Sequence, residues 1–316
     1  MSEQVMVSII CNAYNHEKYI RDALDGFVMQ KTNFVYEILV HDDASTDTTA
    51  DIIREYEAKY PELIKPIYQT ENQYSKEEGL VGKIQRARAL GKYIAICEGD
   101  DFWTDPLKLQ KQVDALEAHP EIDMCTHRAS KVKEYDKKFI AMVEPADHDT
   151  ILTQAQVIKG GGGYLATCSL MFRRTLCENT PEFRKALWID YSLQVQGALR
   201  GGIIYLNDNM SSYRVRLSNS WTCETMRDKE KKAEFFAKTI EMRKVLNRET
   251  GYIYDDIINE ANSRTEFMLL SALGKRKELK KHPIYTTASI KLKIYLFIDR
   301  YFPVFIKLKH RLEGKV

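Results

Sequence analysis

One short apolar run, bounded by glycine on both sides and followed at once by acids, limits the folds open to this chain. Residues Tyr93 to Cys97 are all apolar, lie between Gly91 and Gly99, and lead into the acidic stretch 98–101. Five apolar residues between two glycines predict a buried strand of a parallel sheet. Because ligands collect beyond the carboxyl ends of the strands in open α/β sheets, we expect the acids to lie in a ligand site.

The acids after this strand are Glu98, Asp100 and Asp101. Neighbouring carboxylates raise each other's pKa, so a site that holds them together is favoured when a hard divalent cation neutralises them. Mg²⁺ or Mn²⁺ bridging phosphates is the predicted cation. An isolated Asp-Asp pair is more often a solvated turn that caps the next helix, and the rest of the chain has to decide between these interpretations.

Strand and helix patterns alternate through the first third of the chain. Strand patterns over 5–11, 37–41 and 64–68 are each separated from the next by a segment with a helical apolar face or a polar loop. This alternation predicts a doubly wound α/β sheet. Acids again follow the second strand, at Asp42 and Asp43. Capping of the next helix needs only one side chain, so it leaves these two acids unexplained.

Composition excludes several classes of protein. The chain has 316 residues, of which 44% are hydrophobic and 29% charged, and this fits one large α/β domain plus an extension. The net charge of +2 gives no overall reason to expect nucleic acid as a partner. The six cysteines show no paired metal-ligand spacing, so we expect them to be reduced and to act as small hydrophobic residues. The sequence does not open with a signal-peptide pattern, and we expect a cytoplasmic protein.

Three ordered segments, 7–15, 37–47 and 91–101, resemble the successive signatures of family 2 glycosyltransferases with the GT-A fold. The resemblance covers about residues 6–221 and is most specific in its first third. It implies a Rossmann-like, mixed and mostly parallel sheet flanked by helices, followed by a helical extension.

The resemblance also implies the domain organisation. We expect a GT-A catalytic domain over 1–222, with a nucleotide-binding half to about residue 105 and an acceptor half from about residue 106. A helical C-terminal extension over 223–316 follows.

By the same resemblance, the turn after the first strand and the second acid after the second strand hold the nucleotide. The residues implied are Asn12, Tyr14, Asp43 and Asp100 for the nucleotide, and Asp100 and Asp101 for Mn²⁺ or Mg²⁺. A carboxylate can accept the imide N–H of uracil, and a tyrosine ring can stack on a base. The residue types therefore agree with a UDP-sugar as donor.

Asp190 opens a predicted helix and has two interpretations. As a helix cap it contributes about 1 kcal/mol. Related inverting enzymes place their catalytic base at the start of this helix, so the resemblance implies that Asp190 is the general base. Arg214 and Arg216 follow near the end of the predicted domain, where they either grip a diphosphate or form a surface pair.

The last segment, 290–312, interleaves aromatic and aliphatic residues with lysine and arginine. Charges at this density forbid a membrane span. The segment either lies at an anionic membrane surface or packs as a helical pair on the catalytic domain.

The predicted function is an inverting glycosyltransferase that moves a sugar from a nucleotide diphosphate-sugar to an acceptor hydroxyl. By resemblance, the acceptor is a sugar or lipid-linked oligosaccharide in surface polysaccharide or glycoconjugate synthesis, at the cytoplasmic face of the membrane. One alternative is a catalytically degenerate binding or scaffold subunit, suggested by Glu98 where the family usually has Asp. A nucleotidyltransferase is disfavoured, because no glycine-rich loop follows the first strand.

Overall fold

The computed structural model describes residues 4–77, 79–215 and 221–289. The chain divides into two compact units, Met1–Val215 and Arg216–Val316. The first unit holds a ten-stranded sheet with its helices, and the described part of the second unit is helical. The sequence predicts the domain boundary after residue 222, whereas the two units meet between Val215 and Arg216.

The strands are β1 (Val7–Ala13), β2 (Tyr36–Asp42), β3 (Ile64–Tyr68), β4 (Tyr93–Ile96), β5 (Phe102–Trp103), β6 (Met124–Lys133), β7 (Phe139–Val143), β8 (Thr150–Leu152), β9 (Met171–Arg173) and β10 (Ile203–Val215). Their order is β3-β2-β1-β4-β9-β6-β10-β5, with β7 paired to β6 and β8 paired to β10. The strands from β3 to β4 are parallel, β9 runs antiparallel to both of its neighbours, and β6 and β10 are parallel. The mixed sheet flanked by helices is confirmed.

The helices of the first unit are α1 (Ile20–Val28), α2 (Thr49–Lys59), α3 (Leu80–Arg88), α4 (Lys108–Ala118), α5 (Gln154–Gly160), α6 (Glu182–Ala186) and α7 (Asp190–Ala198). The second unit contains α8 (Trp221–Arg227), α9 (Lys229–Glu249), α10 (Asp255–Ala272), α11 (Arg276–Lys281) and α12 (Pro283–Thr287). Within the ranges that the structure describes, every helix is too short or too polar to cross a membrane.

The core of the first unit lies on both faces of the parallel strands. Strand β4 is buried from Tyr93 to Ala95, and helix α1 places Ile20 and Phe27 against the sheet with no exposed surface. Strands covered on both faces need apolar residues at successive positions, and this explains the uninterrupted apolar run in β4.

Two predicted strands differ from the structure. The apolar run over 167–172 is interrupted by a 3-10 turn at Thr167–Ser169, and only Met171–Arg173 forms β9. The strand predicted over 203–206 continues to Val215 through an irregularity after Leu206. All six cysteines are free thiols, and four of them are buried, which agrees with the expected reduced state.

Candidate active site

The sequence-predicted nucleotide residues lie at one edge of the sheet, where β1, β2 and β4 end. Ala13 of β1 pairs with Asp42 of β2, and the amide of Asp43 donates to the carbonyl of Ala13 at 2.9 Å. The amide of Gly99 donates to the carbonyl of Asn12, also at 2.9 Å. The turns after all three strands are therefore joined by backbone hydrogen bonds.

Asp43 is buried at this edge and its carboxylate holds the loop that follows β3. Its Oδ1 accepts the amide of Gln73 at 2.7 Å and its Oδ2 accepts the amide of Tyr74 at 3.0 Å. Oδ1 also lies 3.4 Å from Nε2 of His41. Each carboxylate oxygen has two lone pairs, so the capacity left for a base N–H is on Oδ2. Tyr14, in the turn after β1, is 45% exposed and its ring is accessible for stacking. The two residues stay predicted base contacts.

Glu98 connects the other predicted groups. Its Oε1 accepts from Nδ2 of Asn12 at 3.3 Å, while Oδ1 of Asn12 is buried with no hydrogen-bond partner in the part of the chain that the structure describes. Burial, with the charges of Asp190 and Asp100, raises the pKa of Glu98 to about 8. The charge of Asp190, at the start of α7, therefore acts on Glu98, although the two residues are far apart in the chain. Sequence reasoning counted Glu98 among the acids that a cation would neutralise, but missed its contacts with Asn12 and Asp190.

Arg214 donates hydrogen bonds to both aspartates after β4. Its amide donates to Oδ1 of the buried Asp101 at 2.7 Å, and its Nη1 donates to the carbonyl of Asp100 at 2.5 Å. Its Nη2 donates to Asp22, and the guanidinium lies 4.5 Å from the ring centre of Phe102. Only 2% of Arg214 is exposed. The structure thus places Arg214 beside the predicted site with its guanidinium already bound, and the diphosphate contact stays a prediction.

Two predicted features cannot be placed. Arg216 and the segment 290–312 lie outside the described residues.

The residues after β4 fit a hard divalent cation. Across 4–77, 79–215 and 221–289, no three His, Cys, Asp or Glu side chains are arranged to hold a metal ion by themselves. Magnesium-type ions in nucleotide enzymes, however, are usually held by one or two carboxylates together with substrate phosphates. Burial and the charge of Asp100 raise the pKa of Asp101 well above its usual range. A cation held by Asp100 and Asp101 would relieve this repulsion.

Asp190 is the first residue of α7 and faces the same acids. Ile189 occupies the cap position, and Oδ2 of Asp190 accepts from Oγ1 of Thr167 at 2.5 Å. The helix-cap interpretation is therefore wrong. The side chain of Asp190 is accessible to solvent. Desolvation by the surrounding protein nevertheless raises its pKa, and the hydrogen bond from Thr167 and the charge of Arg184 oppose this rise. A carboxylate held in this way can accept a proton at neutral pH.

Comparison with known proteins identifies the family of this chain. Residues 8–180 match the sequence profile of glycosyl transferase family 2. The chain belongs to this family. An uncharacterized protein of Mycobacterium tuberculosis is 38% identical over 216 residues, which is 68% of this chain and 60% of that protein. The aligned part thus spans less than two thirds of that relative.

Two solved glycosyltransferase structures are similar to this member of the family. The crystal structure of S. aureus TarS in complex with UDP-GlcNAc covers 89% of this chain and 86% of its own, with a TM-score of 0.56 and 16% identity. Mannosyltransferase PcManGT from Pyrobaculum calidifontis, in complex with GDP-Man and Mn²⁺, covers 99% and 85%, with a TM-score of 0.51 and 16% identity. At these identities the likeness shows the fold, which is the predicted GT-A fold.

Sequence reasoning missed one residue of the site besides Glu98. Thr167, which holds Asp190, lies in an apolar run that reads as a strand, and nothing in its neighbourhood distinguishes it. Only the turn at 167–169 brings its hydroxyl to α7.

Proposed function

We propose that this family 2 glycosyltransferase transfers a sugar from a nucleotide diphosphate-sugar, specifically a UDP-sugar, to an acceptor hydroxyl with inversion. The observation that carries the proposal is that Thr167 donates to Asp190, while Leu170 of the same segment accepts the amide of Ile96, at the carboxyl end of β4, at 3.1 Å. These contacts, with the action of the Asp190 charge on Glu98, support a proton-accepting carboxylate beside the predicted donor site. Asp43 and the exposed Tyr14 support uracil as the base, and the similar TarS structure is a complex with UDP-GlcNAc.

In the proposed mechanism Asp190 accepts the proton of the acceptor hydroxyl. The acceptor oxygen attacks the anomeric carbon on the face opposite the diphosphate, the bond from that carbon to the phosphate oxygen breaks, and UDP leaves with the electron pair. One displacement inverts the anomeric centre. Thr167 orients Asp190 through its hydrogen bond. Asp100 and Asp101 would hold Mn²⁺ or Mg²⁺, which when bound supplies positive charge beside the departing diphosphate.

The acceptor and the setting belong to the same proposal. We infer a sugar or lipid-linked oligosaccharide acceptor in surface polysaccharide or glycoconjugate synthesis, at the cytoplasmic face of a membrane. Segment 290–312 supports this through its basic and aromatic composition.

The test uses the full chain with UDP-Glc, UDP-Gal, UDP-GlcNAc and UDP-GlcA, each with Mn²⁺ and then with EDTA. UDP release and the anomeric configuration of the product, read by NMR, are the measurements. We expect Mn²⁺-dependent release from at least one donor and a product of inverted configuration. UDP binding without turnover would favour the scaffold alternative. Absence of both UDP binding and turnover would contradict the proposed function.

A further inference from the structure

A cavity of about 670 Å³ opens between α3 and the segment 174–188, and the proposed mechanism does not use it. Its charged lining residues are Lys83, Arg86, Arg174, Lys185, Glu77 and Glu178. The two lysines have carboxylate partners, since Lys83 pairs with Glu77 and Lys185 with Glu182. Two arginines and the single carboxylate of Glu178 remain, so the lining keeps an excess of positive charge. We call this cavity the basic pocket.

Within 4–77, 79–215 and 221–289, neither arginine of the lining has an acidic partner. The guanidinium of Arg86 makes no hydrogen bond or ion pair with any residue that the structure describes. Nε of Arg174 donates to the carbonyl of Gly91 at 3.0 Å, and within the same described ranges no carboxylate pairs with it. Both arginines line the pocket together with Cys177. Guanidinium groups in this state are suited to bidentate binding of a carboxylate or phosphate.

An aromatic ring lies between this pocket and a third arginine. The indole of Trp188 has the guanidinium of Arg86 at 4.8 Å and that of Arg184 at 4.5 Å from its ring. Gly79 permits this position, because a Cβ there would lie 2.2 Å from Cδ1 of Trp188 and its φ is +79°. Gly82 lies under Arg86, where a Cβ would approach Nη1 to 2.8 Å. The two glycines therefore make room for a stack of Arg86, Trp188 and Arg184.

The stack holds the charges of Arg86 and Arg184 close together. The charge of Asp190 acts on Arg184, and Nη1 of Arg184 donates to Oε1 of Gln196 at 3.0 Å. Arg184 is 3% exposed and its Nε is buried with no hydrogen-bond partner in the described part of the chain. Burial, with the charge of Arg86, lowers the pKa of Arg184 to about 10. Like charges in a partly dry site are unfavourable, and a bound anion would relieve the repulsion.

The position of the basic pocket separates it from the predicted donor site. The amide of Arg174 donates to the carbonyl of Lys92 at 2.9 Å, which places Arg174 at the amino end of β4. The donor residues follow the carboxyl ends of β1, β2 and β4. At its other end the pocket reaches Trp188, two residues before Asp190, and the charge of Arg184 lowers the pKa of Asp190. A ligand in the pocket would thus approach the general base from outside the donor site.

We propose that the basic pocket binds a carboxylate or phosphate group carried by the acceptor glycan, with Arg86 and Arg174 holding the anion and the Trp188 ring holding Arg86 in position. This inference rests on the proposed function, because it assigns the pocket to the acceptor of that reaction. It defines the acceptor class as an acidic glycan.

The test is calorimetry on the full chain with five separate probes: trigalacturonate, its neutral methyl ester, a glycerol phosphate oligomer, inorganic phosphate and UDP. The variants are Arg86→Gln and Arg174→Gln. The control is Arg54→Gln, a surface arginine of α2 that pairs with Asp51. Melting temperatures are recorded for every variant.

We expect at least one of the two anionic glycans to bind the parent chain. Each pocket variant should weaken that binding about tenfold or more, as expected for loss of a charge-assisted hydrogen bond. The methyl ester and inorganic phosphate should bind much less tightly than the anionic glycans. UDP affinity and the control variant should match the parent.

Other results overturn the proposal. Normal UDP binding with no binding of either anionic glycan, or with equal binding by parent and variants, would remove the acceptor assignment and leave the proposed function intact. If Arg86→Gln weakens UDP binding as much as glycan binding, the pocket belongs to the donor site. Inorganic phosphate binding as tightly as the glycans would make it a site for free anions. If Arg86→Gln loses its melting transition, Arg86→Lys takes its place, because lysine keeps the charge but lacks the bidentate guanidinium. The proposal fails if Arg86→Lys binds the glycan as tightly as the parent does.

Discussion

Replacing Asp190 with asparagine separates proton transfer from binding at one residue. Asparagine keeps the shape of the side chain and an oxygen that can accept from Thr167, but it cannot accept the acceptor's proton. A positioned general base contributes about 10² to 10⁴ in rate, or about 2.7 to 5.4 kcal/mol of transition-state stabilisation. Loss of the charge on the hydrogen-bonded carboxylate costs about 1 kcal/mol of folding stability. Because the side chain of Asp190 is accessible to solvent, that cost is an upper bound.

The assay is single-turnover and steady-state transfer at saturating donor and acceptor, with UDP affinity and melting temperature measured in parallel. We expect kcat to fall by the factor above while UDP affinity and melting temperature stay near those of the parent. Asp114→Asn, on the exposed face of α4 with Gln110 as a side-chain partner, is the matched control. A kcat within a few fold of the parent would refute the base assignment.

The pH dependence follows from the same residue. Asp190 must be ionised to act as a base, so kcat/KM should fall as pH drops through a pKa above the ordinary value for aspartate. Thr167→Val removes a hydrogen bond that lowers this pKa, so it should move the acid limb of the profile to higher pH. For stability, a carboxyl group whose folded pKa is raised contributes favourably at low pH, and this contribution is lost as pH rises through the folded pKa. Asp190→Asn should therefore be more stable relative to the parent at neutral pH than at low pH, and an unchanged difference would contradict the desolvation argument.

Three further predictions concern binding and stability. Asp43→Ala should weaken UDP binding by about 1 to 3 kcal/mol, and equal calorimetric affinity of the parent for UDP and GDP would show that the uracil assignment is wrong. Asp100→Asn and Asp101→Asn should each reduce the Mn²⁺-dependent part of UDP binding with the melting transition retained, and the idea fails if both bind UDP and Mn²⁺ as the parent does. Arg214→Met should lower the free energy of unfolding by about 3 kcal/mol, at the low end for a broken buried pair because its partner Asp22 is partly solvated. If Arg214→Met keeps the stability of the parent but binds UDP more weakly, the result would instead favour a diphosphate-binding role for Arg214.

The parallel half of the sheet could be predicted from the sequence because its strands are covered on both faces. Such strands need apolar residues at every position, and glycine and acids mark their ends. Strand β9 could not be predicted in the same way. Its apolar run contains a turn, and Nε1 of Trp103 donates to the carbonyl of Cys168 within that turn at 2.8 Å. A tertiary hydrogen bond of this kind leaves no periodic pattern in the sequence.

The acids of the candidate site could be predicted because the signal lies in adjacent residues. The role of Arg214 was missed because it depends on residues far apart in the chain. Asp100 and Asp101 directly follow a strand that composition alone identifies. Arg214 lies in the part of β10 that continues beyond its irregularity, and its partner Asp22 lies on α1. Which carboxylate an arginine meets depends on the packing of these elements. Sequence could name Arg214 as a cation near the site, but its buried side-chain contacts required the structure.

The basic pocket shows the same limit for charge. A net charge of +2 over the whole chain gives no hint of a local excess, because the chain carries 47 cationic and 45 acidic residues. The field at a site depends on which of them converge and how much water remains. Arg86 lies on α3, whereas Arg174 and Arg184 belong to a later segment, and the fold stacks two of the three on Trp188. Since like charges in partly dry surroundings oppose folding, their convergence beside the predicted general base is better explained by the proposed anionic ligand than by stability.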